Sequence, residues 1–289
     1  MGTDEKLHFG QVAIVGVGLL GSSLGLALKA RKLAHEVVGI GRRGSSLETA
    51  KRIGAIDALT LDLREGLRRA DLVVIATPAG AVLPVLDAAR AACKNTAVIT
   101  DVASTKAEIC AHAQSTWPAP RRFVGSHPMA GAEQFGPEHG RADLFEGSIC
   151  LVEENEEVQP QARETVVRLW ESVGARVVAV SPQEHDAVLA RTSHVPHILA
   201  AALAALAGCR GEVRPMIGNG FKDMTRIAAG RAEVWRDICL TNRVEIAEGL
   251  EELGRVLEQV LTALKIGDAA ALDAFFEAGR RARQRLVDE

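Results

Sequence analysis

The sequence predicts an α/β protein, with a doubly wound parallel sheet in the N-terminal part and an all-α domain after it. Up to Ser181, short β-branched runs alternate with amphipathic helical patterns, a rhythm typical of βαβ units. From Pro182 onward the strand signals stop and helical periodicity takes over. The predicted domains are therefore residues 1–181 and residues 182–289.

The elements of the first domain follow from these patterns. Helices are predicted at Ser22–Lys32, Ser46–Ile53, Gly80–Ala91 and Ala162–Val173. Strands are predicted at Gln11–Val17, Glu36–Ile40, Asp71–Ala76, Ala97–Thr100, Arg122–Val124, Ser148–Val152 and Arg176–Val180.

The second domain contains a long apolar stripe. Within Trp235–Leu264 the apolar residues recur three or four positions apart, which predicts one helix of about thirty residues and about 45 Å. Such a stripe needs a covering partner, so we expect a homodimer formed through the C-terminal helices. The stripe consists of Ile246, Leu250, Leu253, Leu257, Val260 and Leu264.

Composition excludes several classes of protein. The 289 residues carry a net charge of −3 and no long basic run, so nucleic acid is not an expected partner. The most apolar stretch, Val195–Gly208, is too short to cross a membrane, and the N-terminus lacks the apolar segment of a signal peptide. Five scattered cysteines without a C-x-x-C pair indicate reduced thiols in a cytoplasmic protein.

A glycine motif predicts a dinucleotide site of the Rossmann type. Gly16-x-Gly18-x-x-Gly21 follows a predicted strand directly and opens a predicted helix. Gly16 permits the turn, Gly18 lets the backbone approach a pyrophosphate, and Gly21 allows close packing of helix and strand. Leu19 and Leu20 belong to this motif, just before the helix N-terminus, whose free N–H groups and dipole favour phosphate.

The end of the second predicted strand bears on the choice of cofactor. NAD enzymes usually place an acid here for the ribose 2′-hydroxyl, but this chain has Gly41 followed by Arg42 and Arg43, with Ser45 close by. Guanidinium groups pair well with a 2′-phosphate, so we expect NADP, with NAD still possible. Two solvated arginines on a turn are the alternative interpretation.

Further polar residues follow predicted strands. Thr77 and Pro78 follow one strand, and Ser104 and Lys106 follow another. Open α/β sheets bind their ligands at the carboxyl ends of such strands, which makes these residues candidates for cofactor or substrate contacts. Pro78 and Ser104 are equally compatible with an ordinary role in starting the next helix.

His127 is the candidate general base. It lies in Gly125–Gly131 (GSHPMAG), after a predicted strand, where a Gly- and Pro-rich loop should leave it exposed near a bound nicotinamide. Histidine is suited to accept a hydroxyl proton as hydride leaves, because its pKa is near neutrality. A histidine that merely stabilises the loop is the alternative.

Two clusters in the helical half supply further candidates. In Ser193–His197 (SHVPH), a helix capped by Ser193 would place His194 and His197 on one face. Half of a zinc site is an alternative, but no further ligands stand at a recognisable spacing, so no metal is predicted. In Phe221–Ala228 (FKDMTRIA), Arg226 is placed to clamp a substrate carboxylate with Asp223 orienting it, although a surface Asp–Arg pair is common.

Taken together and in this order, these motifs resemble the prephenate/arogenate dehydrogenase family. The resemblance rests on the glycine motif, DVASTK (Asp101–Lys106), GSHPMAG, SHVPH and FKDMTRIA, and extends over about residues 10–270. It implies an enzyme that oxidatively decarboxylates prephenate or arogenate with NAD(P), on the route to tyrosine.

The resemblance also implies roles for individual residues. His127 matches the catalytic histidine that accepts the proton of the ring C4 hydroxyl, and Ser104 matches a serine bonded to the same hydroxyl. Arg226 matches the arginine that binds substrate carboxylate. His197 and Lys106 match residues lining the site, and Trp235 stands where the family often has an aromatic residue.

Two rival functions are kept. A β-hydroxyacid dehydrogenase or imine reductase would share the architecture, but it typically relies on a lysine in the helical domain and leaves GSHPMAG and SHVPH unexplained. A non-catalytic nucleotide-binding regulator would keep the three glycines, but it has no need to keep His127, Ser104 and Arg226 together.

Overall fold

The computed structural model describes residues 7–131 and 134–288. The chain divides into two compact units, the first ending at Arg243 and the second beginning at Val244.

The first unit is built on a six-stranded parallel sheet. Its strands follow the order β3-β2-β1-β4-β5-β6, so the chain runs outward from β1 to one edge and then from β4 to the other. This confirms the predicted doubly wound sheet. The three-residue strand β3 had no prediction, because so short a run shows no periodicity. The strands are β1 (Phe9–Val15), β2 (Ala34–Ile40), β3 (Ala58–Thr60), β4 (Leu72–Ile75), β5 (Val98–Asp101) and β6 (Phe123–Val124).

Helices cover both faces of this sheet. Along β1, Val12 and Ile14 point into one apolar cluster, and Ala13 and Val15 point into the other. A strand buried on both faces reads as a continuous apolar run, which is why β1 was predictable. The helices are α1 (Leu19–Ala30), α2 (Gly44–Arg52), α3 (Leu63–Leu67), α4 (Val82–Ala92) and α5 (Ala107–Thr116).

A second, three-stranded sheet follows the first. Strand β7 (Ser126–Pro128) pairs antiparallel with β8 (Ile149–Glu153), and β8 pairs parallel with β9 (Arg176–Val180) across helix α6 (Pro160–Ser172). The indole N–H of Trp170 in α6 donates to Ser126 Oγ over 3.0 Å, which ties this helix to β7. The predicted strands Ser148–Val152 and Arg176–Val180 therefore belong to a separate sheet.

Helices continue the first unit beyond β9. Helix α7 packs against α5, and α10 packs against the turn at Ala79–Ala81. The helical residues up to Arg243 thus cluster with the two sheets, and the domain border at Ser181–Pro182 stays a prediction. These helices are α7 (Pro182–Leu189), α8 (Val195–Gly208), α9 (Asn219–Thr225) and α10 (Ala232–Thr241), with a π-helical segment at Ala190–His194.

The single helix predicted over Trp235–Leu264 is wrong. The chain leaves helical geometry at Asn242 (φ −122°, ψ 35°), between α10 and α11 (Arg243–Ile266). The Asn242 side chain is buried and donates to the Asp186 carbonyl oxygen, so a tertiary hydrogen bond holds the break. Periodicity did not show it, because one residue out of register hardly changes an apolar stripe.

The second unit consists of α11 and α12 (Ala269–Arg283), followed by a short π-helical turn. The last turns of α11 leave a row of large apolar side chains exposed, formed by Leu257, Leu261 and Leu264. In the part of the chain that the structure describes, no helix is both long and apolar enough to span a bilayer.

A buried ion pair joins the two sheets, and its loss should destabilise the fold. Arg121 precedes β6 and is paired with Glu153 of β8, whose Oε2 also accepts from Gly125 N at 3.0 Å. Glu153→Ala leaves a buried guanidinium without its partner, which should lower the free energy of unfolding by about 3–5 kcal/mol. Urea denaturation measures this loss. The matched control is Glu277→Ala, which breaks an exposed pair with Arg280 and should shift the midpoint far less.

Candidate active site

The glycine motif forms a phosphate-binding turn. Gly16 follows β1 with φ of +98°, a region that favours glycine, and its N–H donates to Ile40 O at 2.8 Å. A Cβ on Gly21 would collide with the Gly16 carbonyl oxygen, so glycine is required there too. Within the described residues, no side chain caps the first turn of α1, so its N–H groups are available to an anion.

The turn opens into a cavity of about 330 Å³ at the carboxyl edge of the sheet. The buried Thr77 Oγ1 in its wall has no hydrogen-bond partner among the described residues, and a buried polar atom of this kind is costly unless a ligand satisfies it. These features fit a dinucleotide. The lining includes Gly18, Leu19, Leu20, Thr77, Pro78 and Ser104, all of which are predicted site residues.

The cofactor-selecting candidates lie outside this cavity. Arg42 and Arg43 are exposed between β2 and α2, and Ser45 is exposed in the first turn of α2. In the described residues, neither arginine forms an ion pair with an acid, so both guanidinium groups can meet an added phosphate.

A second cavity, of about 490 Å³, shares a wall with the first. Ser104, Phe135 and Arg231 belong to both linings, so the two cavities are direct neighbours. Five predicted site residues line the second cavity together, namely Ser104, His127, His197, Arg226 and Trp235.

His127 lies on β7 opposite Leu151 of β8 and is only 7% exposed. The expectation of an exposed loop histidine is therefore wrong, because pairing with β8 draws this residue into the wall of the cavity. Its Nδ1 is 2.9 Å from His185 Nε2, and His185 Nδ1 is 2.7 Å from Asp186 Oδ1. Burial is the main cause that lowers the pKa of His127 well below its ordinary value, with help from nearby His185, Lys106 and His194.

His194 and His197 enter the cavity from the π-helical segment and α8. Ser193 does not cap a helix as expected; it lies within the π-helical segment, because Pro196 has no N–H to continue regular α-helical bonding. The ring of His197 stacks on Trp235, with centroids 3.3 Å apart and planes at 16°. A Cβ on Gly230 would come 2.5 Å from Trp235 Nε1, so glycine makes room for this stack.

Two predicted substrate contacts lie elsewhere. Lys106 is buried and paired with Asp101, and it is not among the described residues that line the cavity. Asp101 Oδ1 in turn accepts from Ser126 N at 3.2 Å, next to His127. Asp223 is exposed on α9 and is also absent from the described lining. Both contacts stay predictions.

Sequence reasoning missed several residues of this site. His185 and Asp186 look like ordinary positions in the first turns of α7, and only the fold brings them to His127. Arg231 lies with its guanidinium carbon 5.4 Å from the centre of the Phe135 ring, where the two cavities meet. For Arg231, the available signal was a second cation five residues after Arg226.

A doubly wound nucleotide-binding sheet, joined at a shared wall to a cavity with a buried histidine, defines a nicotinamide-dependent dehydrogenase. Comparison with known proteins gives the family. The family model described as the prephenate dehydrogenase nucleotide-binding domain matches residues 24–179, and the one described as the prephenate dehydrogenase dimerization domain matches residues 181–278. The chain belongs to the prephenate dehydrogenase family.

Individual relatives agree with this assignment. The chain is 32% identical to a prephenate dehydrogenase of Bacillus subtilis, over 95% of this chain and 76% of that protein. It is 31% identical to a cyclohexadienyl dehydrogenase of Zymomonas mobilis, over 96% of each. The chain is thus an oxidoreductase of the kind that catalyses oxidative decarboxylation in tyrosine biosynthesis.

Solved structures show the same architecture along the whole chain. A prephenate dehydrogenase of Aquifex aeolicus, in complex with hydroxyphenyl propionate and NAD+, superimposes with a TM-score of 0.87 at 26% identity, covering 97% of this chain and 99% of that one. A Synechocystis arogenate dehydrogenase gives 0.81 at 26% identity, covering 96% and 100%.

The close packing at Gly21 yields a prediction for cofactor binding. Gly21→Ala places a methyl group against the Gly16 carbonyl and should push α1 away from the phosphate turn. We expect the dissociation constant for the reduced cofactor, measured by its fluorescence, to rise about tenfold or more. Gly208→Ala, where a Cβ meets nothing within 4 Å, is the control and should bind normally. Equal binding by both variants would contradict this role of the turn.

Proposed function

We propose that this enzyme oxidises a cyclohexadienyl acid, prephenate or its amino counterpart arogenate, with loss of the ring carboxylate as CO2. One observation carries the proposal: His127 and Ser104 lie in a cavity that shares its wall with the nucleotide cavity, and Arg226 lines the same cavity. A base, a hydroxyl donor and a cation for carboxylate are the groups that this reaction needs.

Four of the cavity residues have a defined task in this proposal. Arg226 binds a substrate carboxylate, and the stacked His197 and Trp235 form a flat wall for the ring. His127, held neutral by burial, accepts the hydrogen bond of the C4 hydroxyl and takes up its proton as C4 is oxidised. A nicotinamide held in the nucleotide cavity would supply the acceptor for the hydride of C4. As CO2 leaves and the ring becomes aromatic, His127 returns the proton to the phenol oxygen.

Two residues outside the cavity wall act by positioning. Lys106 neutralises the buried carboxylate of Asp101, and Asp101 holds the backbone N–H of Ser126 beside His127. We assign Lys106 to this support, and Asp223 to orienting Arg226 from α9. Both assignments follow from placement, since each lies close in sequence to a cavity residue.

For the cofactor, we propose NADP, with NAD as the alternative. The support is the pair of exposed guanidinium groups at Arg42 and Arg43, with Ser45 in the next turn and no acid at Gly41. A 2′-phosphate there would gain charge-assisted hydrogen bonds, whereas a 2′-hydroxyl would lack its usual carboxylate acceptor.

We also propose a homodimer that works in the cytoplasm. The family model over residues 181–278 is that of a dimerization domain, and α11 exposes Leu257, Leu261 and Leu264 along one side. A second copy that covers these side chains would remove them from water. Cys93, Cys110, Cys150, Cys209 and Cys239 are free, in keeping with a reducing compartment.

Removal of the proposed base tests the function. His127→Asn keeps a polar side chain but cannot accept a proton near neutral pH, so kcat should fall roughly 10²–10⁴-fold. Affinity for the reduced cofactor should stay unchanged, since His127 does not line the nucleotide cavity. His112→Asn, on the surface of α5, is the control and should keep full turnover. A variant at His127 as active as the control would refute the assigned base.

Exchange of the exposed arginines tests the choice of cofactor. In Arg42→Ser/Arg43→Ser, loss of the phosphate contacts should raise KM for NADP about tenfold to hundredfold. KM for NAD should change little, because NAD has no 2′-phosphate. Arg68→Ser/Arg69→Ser is the control. It removes two consecutive exposed arginines that precede β4, at the amino ends of the strands and away from the cofactor edge. Equal KM shifts for both cofactors would contradict the proposal.

A further inference from the structure

The protonation of His127 can be traced from Asp186. A carboxylate only accepts hydrogen bonds, and Asp186 accepts from Lys106 N at 2.7 Å and Ala107 N at 2.9 Å, at the start of α5. His185 Nδ1, 2.7 Å from Asp186 Oδ1, must therefore carry a proton and donate it. A neutral His185 then has only Nε2 left as an acceptor, and this atom faces His127 Nδ1 at 2.9 Å.

It follows that His127 Nδ1 is the donor in this pair. The ring of a neutral histidine carries one proton, so His127 Nε2 keeps its lone pair. His127 lines the second cavity, and Nε2 is the ring nitrogen left to meet a ligand. The chain Asp186–His185–His127 thus presents a proton acceptor to the cavity.

The backbone of the same aspartate fixes a second histidine in the opposite way. The Asp186 carbonyl oxygen is an acceptor, so the Asn242 atom 2.9 Å from it must be the amide nitrogen Nδ2. This nitrogen also lies 3.2 Å from His194 Nδ1 and has a second proton to donate. His194 Nδ1 therefore accepts, and its proton is on Nε2. His194 also lines the cavity, where it presents a donor.

We propose that His185, Asp186 and Asn242 are positioning residues that hold His127 and His194 in opposite tautomers, one as proton acceptor and one as neutral hydrogen-bond donor. The acceptor serves the hydroxyl that is oxidised, and the donor serves an anionic oxygen of the same ligand. This division of tasks rests on the proposed function, whereas the two tautomers rest on the hydrogen bonds alone.

Burial favours the neutral forms of the histidines around Asp186. Burial is the largest cause that lowers the pKa of His185, and it outweighs the opposing effect of Asp186. Burial likewise lowers the pKa of His194 to about 4, against the effect of Asp186. Lys106 adds a positive charge that disfavours protonation of His127 and His185. His127 and His194 therefore stay neutral near pH 7, as the proposal requires.

Nitrogen NMR of the folded enzyme reads the tautomers directly. The chain has eight histidines, so protein with 15N-labelled imidazoles gives few signals. The signals that disappear in His127→Asn and in His194→Gln identify these two rings in the wild-type spectrum. We expect a proton on Nδ1 of His127 and on Nε2 of His194. The same proton position in both rings, or the reverse pair, would overturn the proposal. Asn242→Asp offers only oxygens to His194 and should move its proton to Nδ1, whereas Asn95→Asp on the surface should not.

Kinetics separate positioning from simple packing. His185→Phe fills the space but releases His127 Nδ1, and kcat should fall on the order of 100-fold, with KM for the cofactor unchanged. His185→Gln supplies a carbonyl acceptor and an amide donor. Its kcat should therefore be about tenfold higher than that of His185→Phe. His112→Gln, which breaks the surface pair with Asp87, is the matched control. If His185→Phe folds, binds cofactor and turns over like wild type, the proposal is wrong.

Separate measurements test the proposed function and the two tautomers. If wild-type enzyme reduces no nicotinamide with prephenate or arogenate, the proposed function is wrong, but the NMR signals still report the tautomers. If wild type is active and the tautomers differ from those expected, the positioning proposal alone is wrong.

Discussion

The active site depends on the buried carboxylate and carbonyl of Asp186. The carboxylate accepts two backbone N–H groups at the start of α5, directly after the loop that carries Ser104. The neighbouring His185 contacts His127 on the second sheet. The carbonyl oxygen of Asp186 accepts a hydrogen bond from Asn242, which follows α10. One residue of α7 thus fixes three walls of the cavity. A buried acceptor with this many partners is stable only while all of them are in place.

The fold places the chemistry where the two sheets meet. Strands β1, β4 and β5 end at one edge, which gives the phosphate turn, Thr77 and the Ser104 loop a common cavity. Strand β7 belongs to the second sheet and brings His127 to the wall of the adjoining cavity. Because the two cavities share a wall, a hydride acceptor bound in one would lie beside a ligand in the other, whose hydroxyl the proposed base His127 deprotonates.

The sequence was informative where the chemistry is local and less so where it depends on distant residues. The turn at Gly16–Gly21 and strands such as Arg176–Val180 were predictable, because glycine spacing and apolar runs reflect nearby backbone. The break at Asn242 and the approach of His185 to His127 were not, because each depends on hydrogen bonds across more than fifty residues. Lys106 shows a third case: its position after a strand predicted a ligand contact, but its burial against Asp101 depends on the tertiary structure and could not be predicted.

The most direct test of this account is a coupled measurement on the purified wild-type enzyme. Reduced nicotinamide would be followed by absorbance and CO2 by trapping, with prephenate and arogenate each crossed against NADP and NAD. The account predicts equal amounts of reduced cofactor and CO2 from at least one acid, because hydride loss at C4 and decarboxylation belong to one aromatisation. Folded enzyme that binds cofactor but reduces none with either acid, or that reduces it without releasing CO2, would contradict the account.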